Sequence, residues 1–254
     1  MTTWHKFVAV GDSFTEGLED RIPGDRHLGW ADRVAAMMAE RTDDFMYANL
    51  AIRGRKLDDI VSNQLPLALE MEPDLVSIAG GVNDLLRPKW DVGVSGEILE
   101  EGVLAARDAG ADVLLFAFGN LSRRSRVMGT VTARLAEYRE ITLALAEEHG
   151  CYVVDFWPET VFDDSRFWAE DRLHLNELGH ERVARIVATT LELGDYDWRE
   201  PLPASQPTSL LQTVRADLEW TGRHLVPWLA RRLKRQSSGD EITPKRPELS
   251  PVDF

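Results

Sequence analysis

Five short apolar runs, each followed by a stretch of helical periodicity, constrain this chain more than any other feature. Phe7-Val8-Ala9-Val10 stops at Gly11, and Phe45 to Leu50 follows. Leu75-Val76-Ser77-Ile78-Ala79 closes on Gly80-Gly81, Val113 to Phe118 is the most apolar, and Tyr152-Val153-Val154-Asp155 is the last. Between and after them, helices are predicted over Trp30 to Arg41, Leu57 to Met71, Val94 to Ala109, Val131 to His149 and Leu178 to Leu193. Pro66 must end, kink or restart the second of these, and Gly110 and Gly150 sit where helix ends are expected. Strands alternating with helices imply a parallel sheet between two helical layers, an α/β fold. Near-continuous apolar strands, rather than alternating ones, fit burial on both sheet faces. In such sheets ligands bind beyond the carboxyl ends of the strands, so the segments leaving each run are where chemistry is to be sought.

Composition removes several alternatives. Of 254 residues, 44% are hydrophobic, enough for a core, so wholesale disorder is excluded. Cys151 is the one cysteine, which rules out a disulfide framework and a cysteine-based zinc site. No apolar run approaches the roughly 18 residues a membrane span requires, and no secretory signal stands behind the opening residues. A soluble cytoplasmic protein is therefore expected. Net charge is −14, and residues 1–200 alone carry −16. A body this acidic repels a phosphate backbone, so nucleic acid is not an expected partner.

After Gly194 the sequence changes character. Residues 1–195 read as the main domain, and 196–209, with Pro201, Pro203 and Pro207, as a linker. Residues 210–235 form an amphipathic helical segment ending in Arg231-Arg232-Leu233-Lys234-Arg235. Such a segment suits an anionic membrane surface, but its charge is opposite to that of the body, and docking on the body is the preferred expectation. Residues 236–254, rich in Ser, Pro and charge, are expected to be disordered.

Four strand exits carry groups with chemical potential. The first reads Gly11-Asp12-Ser13-Phe14-Thr15-Glu16-Gly17, a hydroxyl where a helix can begin, although position alone favours a capped turn. The second contains Gly54, whose backbone N–H can approach a ligand closely. The third, Gly80-Gly81-Val82-Asn83-Asp84, offers the Asn83 amide as a donor to a developing oxyanion, or an ordinary Asx turn. The fourth, Asp171-Arg172-Leu173-His174, spaces a carboxylate and an imidazole so that one orients the other, or forms a surface ion pair. His180 lies off the helical face of His174, so a two-His metal site is not expected and His180 reads as a surface or packing residue. Taken together, the four exits supply a nucleophile, a backbone N–H, an amide donor and a base to one sheet edge, the parts of an acyl-transfer site.

These four blocks, Gly11-Asp12-Ser13, Gly54, Gly81-Val82-Asn83-Asp84 and Asp171-Arg172-Leu173-His174, resemble in order those of the SGNH (GDSL) hydrolases, over about residues 5 to 193. The resemblance implies a flavodoxin-like α/β/α sandwich with a five-stranded sheet, and hydrolysis of carboxylic esters. It casts Ser13 as nucleophile, His174 as base and Asp171 as its orienting acid. Ser13 and Gly54 N–H groups and the Asn83 side chain would form the oxyanion hole. Phe14 stands where that family often has Leu or Ile. No Gly-x-Ser-x-Gly, phosphate loop or dinucleotide fingerprint is present, and neither metal nor organic cofactor is expected. Asp12, Arg53, Asn120 and Trp168 are candidate substrate contacts, and Arg55, Arg87, Trp90, Arg123 and Arg124 lie on neighbouring loops. The expected ligand is a small-molecule ester, preferably short-chain, and the expected state a monomer. A thioesterase or lysophospholipase with the same triad, or a carbohydrate- or lipid-binding module on the same fold, are the alternatives.

Overall fold

The computed structural model describes residues 2–24, 26–120, 129–204 and 239–253. The amphipathic segment 210–235, and Arg123 and Arg124, lie outside the described residues. The five apolar runs form strands β1 (Lys6–Gly11), β4 (Met46–Asn49), β5 (Leu75–Ala79), β6 (Asp112–Ala117) and β7 (Tyr152–Asp155), all mutually parallel. A short antiparallel pair, β2 (Arg21–Ile22) and β3 (Arg26–His27), stands apart from them. A further strand, β8 (Arg246–Pro251), completes one edge of the main sheet. The sheet order is β7-β6-β5-β1-β4-β8, so the chain steps from β1 to one neighbour and then crosses back to the other, placing the switch point at β1.

Two cores sandwich the sheet. Alternate residues of β1 point to opposite faces, Phe7 and Ala9 to one and Val8 and Val10 to the other, all fully buried. The first core packs Trp30, Val34 and Met38 of α2 (Gly29–Ala39) with Val183, Ala184 and Val187 of α8 (Glu177–Thr190). The second packs Leu99 and Val103 of α6 (Val92–Asp108) and Tyr138 and Leu145 of α7 (Gly129–Glu148). Where Pro66 was expected to interrupt a helix, the backbone stays helical but changes pitch. Residues Leu57–Asp59 (α3) run into a π-turn, Ile60–Gln64, and then into Leu65–Leu69 (α4), whose first turn holds the proline.

Two expectations are corrected. The sheet has six strands, not five, and residues 239–253 are ordered rather than disordered. β8 runs antiparallel to β4, with Tyr47 opposite Ser250 and Asn49 opposite Arg246 and a register irregularity between these two pairs. Polar composition says little about an edge strand, because the unpaired rim of β4 supplies hydrogen bonds whatever the side chains are. Pro247 and Pro251 are compatible with that edge position. The described linker residues also lie on the body, where the Arg182 guanidinium donates to the Trp198 and Glu200 carbonyls at 2.6 Å each. Among the described residues no helix is long and apolar enough to cross a membrane.

Candidate active site

The residues singled out at the strand exits meet at the carboxyl edge of β1, β4 and β5. β1 ends at Gly11, and Asp12 caps a single helical turn, α1 (Ser13–Glu16), by accepting the Phe14 N–H at 3.0 Å. Gly17 terminates the turn in the left-handed region, with its N–H on the Ser13 carbonyl. Ser13 is thereby held at the first position of a turn, its hydroxyl half-buried and facing the loop that follows β7.

That loop carries the second half. Arg172, at φ 55°, folds Asp171-Arg172-Leu173-His174 tightly enough for the Asp171 carboxylate to accept three bonds. Oδ1 accepts the Leu173 and His174 backbone N–H groups at 2.9 and 3.0 Å, and Oδ2 meets His174 Nδ1 at 2.6 Å. His174 Nε2 lies 3.1 Å from Ser13 Oγ, 161 positions away in sequence. Burial pushes the Asp171 carboxyl up, but the bonds from the imidazole and the two N–H groups outweigh it and hold the group down at about 2. Asp171 is an anion throughout the neutral range.

On the opposite side stand the candidate oxyanion donors. Asn83 sits in the short helix α5 (Val82–Leu85), and its amide donates to Asp12 Oδ2 at 2.9 Å and to the Arg55 carbonyl at 3.0 Å. Those two bonds fix the plane and the direction of the amide. The same helix is tied to the loop after β4 by Asp84, which accepts the Leu57 N–H at 3.0 Å. Gly54, at φ 76°, occupies that loop, and the Ser13 and Gly54 N–H groups donate to no other described residue.

The four candidate substrate contacts fare differently. Asp12 is buried, and burial lifts its carboxyl to about 6 despite the Phe14 N–H bond. Its oxygens face Phe14 and Asn83, so it acts on the site from behind. Arg53 is turned inward, and its guanidinium and backbone N–H both donate to Glu16, itself 4% exposed. The Trp168 indole N–H donates to the Phe162 carbonyl at 2.8 Å, and Asn120 lies half-buried beyond β6. His180 is a packing residue, 1% exposed, with Nε2 on the Leu18 carbonyl and its pKa pressed down to about 4 by burial.

Arg53→Ala is accordingly expected to act on stability before affinity. It strands the Glu16 carboxylate in a buried setting, at a cost of about 3 kcal/mol or more. Chemical denaturation should show that loss, and an unchanged denaturation midpoint with a raised KM would return Arg53 to the substrate.

Three supporting residues were not among the sequence candidates. Gln64 pins the end of β1, its amide donating to the Gly11 carbonyl and accepting the Gly11 N–H at 3.0 and 2.8 Å. Asn49 donates to the Thr15 carbonyl at 2.9 Å and accepts the Ala51 N–H at 3.1 Å, tying the nucleophile's turn to the loop carrying Gly54. Glu16 closes the same connection through Arg53.

Comparisons with known proteins bear on the family and the fold. The family model of the GDSL-like lipase/acylhydrolase family matches residues 9–182, more than half of the chain. Among solved structures, TesA is 25% identical over 74% of this chain and 98% of its own, with a TM-score of 0.61. Axe2, an acetylxylan esterase from Geobacillus stearothermophilus, is 19% identical over 77% of this chain and 96% of its own, at 0.61. LAE5, an α/β hydrolase enzyme from the metagenome of Lake Arreo, Spain, is 21% identical over 74% of this chain and 95% of its own, at 0.62. The last two likenesses concern the fold. A search of curated proteins gave no significant match.

Proposed function

The chain belongs to the GDSL-like lipase/acylhydrolase family, and from that premise we propose that it is a serine esterase cleaving small carboxylic esters through an acyl-enzyme. The observation that carries the reading is the hydrogen-bonded line Ser13–His174–Asp171, at 3.1 and 2.6 Å. A serine hydroxyl attacks a carbonyl only when a base removes its proton, and His174 Nε2 lies within reach to do so. Asp171, accepting from Nδ1–H, selects the tautomer that leaves Nε2 free to act and stabilises the imidazolium once it forms.

The steps follow. Ser13 Oγ bonds to the acyl carbon while its proton passes to His174 Nε2, and the carbonyl electron pair moves onto oxygen. That oxyanion is met by the Ser13 and Gly54 N–H groups and the Asn83 amide. Collapse expels the alcohol, which takes the proton from His174. Water, deprotonated by the same nitrogen, then attacks the acyl-enzyme and releases the acid, restoring Ser13 Oγ–H. A small-molecule substrate and a monomeric enzyme remain part of the proposal.

A fluorophosphonate probe and a p-nitrophenyl ester series from acetate upward test it. Stoichiometric labelling of Ser13 with ester turnover is expected. An intact, folded protein that neither labels nor hydrolyses any ester would favour a binding module, and faster turnover of matched thioesters would favour a thioesterase.

Asp12 gives a second expectation. Asp12→Asn leaves one acceptor oxygen for two donors, the Phe14 N–H and the Asn83 NH2, so where the new NH2 group faces Asn83 that amide loses its acceptor and its aim. Loss of a hydrogen bond to a charged group corresponds to a fall in kcat of about 10- to 100-fold. Stability should move the other way with pH. The folded-state value of Asp12, about 6, lies above the unfolded 3.8, so its contribution to stability declines as pH rises between them. The asparagine variant lacks that decline. Melting temperatures at pH 4 and pH 7 should therefore shift in favour of the variant at the higher pH, and a constant gap would contradict the assignment.

A further inference from the structure

Besides Asp12, three carboxylates are buried behind the nucleophile's turn: Glu16, Asp20 and Asp32, at 4, 1 and 3% exposure. Each has a cation of its own. Arg53 serves Glu16 and Arg33 serves Asp20. The cation for Asp32 is Lys245, which comes from more than 200 positions away and lies outside the residues the family model matches. Its ammonium lies 2.8 Å from Asp32 Oδ2 and also donates to the His27 and Leu28 carbonyls just before α2.

From Asp32 a continuous chain of hydrogen bonds leads into the site. The Tyr47 hydroxyl donates to Asp32 Oδ1 at 2.7 Å, and the Asn49 amide donates to the Tyr47 oxygen at 2.9 Å. Asn49 in turn holds the Thr15 carbonyl of α1 and the Ala51 N–H ahead of Gly54. A hydroxyl oriented toward an anion presents its lone pairs to Asn49, so the direction of the Tyr47 bond determines that of the next. The segment that carries Lys245, residues 239–251, touches the Gly54 loop directly. Gly239 is buried against it, and a Cβ there would stand 2.2 Å from the Arg53 carbonyl oxygen and 2.7 Å from Ile52. Arg55 reaches back to the Gly239 carbonyl at 3.4 Å.

We infer that Lys245 is a positioning residue for catalysis: the 239–251 strap, anchored on β4 and locked by Lys245 into Asp32, holds the nucleophile's turn and the Gly54 loop in register. The inference rests on the esterase reading of the site, and it extends that reading to a segment the family pattern does not include. An ammonium is required because it supplies charge to Asp32 and three donors to three acceptors, which a neutral side chain of similar length does not.

Lys245→Met and Gly239→Ala test it from the two ends of the strap, the first by removing the charge and the second by pressing on the Arg53 carbonyl without any change of charge. Each variant is titrated with the fluorophosphonate so that turnover is expressed per reactive Ser13. The expected result is a kcat about 10-fold lower per labelled site, with KM within twofold. Amide hydrogen exchange at Ile52, whose N–H donates to the Gly11 carbonyl at 3.2 Å, should be faster in both variants. A lower melting temperature with wild-type kcat per labelled site and wild-type exchange would overturn the inference, leaving the strap a purely structural edge. A wild-type protein without esterase activity would overturn the esterase reading. The exchange measurement would then decide alone whether the strap holds the loop.

Discussion

Ser13→Ala should abolish ester hydrolysis, by at least about 10⁴-fold in kcat, and leave the fold as it is. The two halves of this expectation come from different observations. The hydroxyl both reaches His174 Nε2, 3.1 Å away, and can form a bond to an acyl carbon. Phe14 and Glu16 on the same turn face the aromatic core and Arg53. Removing the oxygen leaves His174 aligned by Asp171, yet with nothing to deprotonate but water. Stability has little at stake, because among the described residues Ser13 Oγ makes a single half-buried hydrogen bond and alanine suits the first position of a helical turn. A melting temperature within about 3 °C of the parent is therefore expected. Hydrolysis undiminished in purified protein, with contaminating esterase excluded by the absence of fluorophosphonate labelling elsewhere, would take Ser13 out of the mechanism.

What could be read from the sequence divides along lines of chain distance. Leu75–Ala79 coincides with the strand expected there, because a parallel strand buried on both faces is apolar along nearly its whole length, and Tyr152–Asp155 coincides too, although it forms the sheet edge with only Val154 buried. The helices fall within a few residues of their predicted limits for the similar reason that their apolar faces are continuous. Asp171 and His174 are visible because their pairing is three residues long, and Ser13 because the strand that precedes it ends abruptly.

The supporting shell is another matter. Gln64 has a local sign, an amide on a helical stretch whose inward positions are otherwise Ile60, Val61, Leu65 and Ala68. Asn49 has a similar one, an amide closing an apolar strand. Such polar residues at apolar positions are buried only when their hydrogen bonds are made, and the partners lie on other elements. Lys245 has no local sign at all, since a lysine in a polar stretch becomes a buried cation only after β8 has paired with β4. Arg53 illustrates the converse error. Near a strand exit an arginine looks available to a substrate, and only the burial of Glu16 37 positions earlier reveals what occupies it.

Asn83→Ala is the second expected large effect, a fall in kcat of about 100- to 1,000-fold with KM nearly unchanged. The asymmetry between the two constants follows from when the amide matters. A ground-state ester carbonyl carries little charge, whereas the tetrahedral oxygen carries a full one, so a fixed donor contributes mainly to the barrier. Asn83 is aimed in advance, with its NH2 group bonded to Asp12 Oδ2 and the Arg55 carbonyl, and only one of these hydrogens has to be shared with the oxyanion when charge appears. This geometry also makes the effects of Asp12 and Asn83 interdependent. If Asp12 acts through the amide, the double substitution Asp12→Asn with Asn83→Ala should lose no more activity than Asn83→Ala alone, because the group being aimed is already gone. Measuring kcat and KM for both single variants and the double variant closes the cycle. Losses that multiply would show Asp12 acting on the reaction by a separate route, and a rise in KM alone for Asn83→Ala would make the amide a substrate-binding group instead of an oxyanion donor.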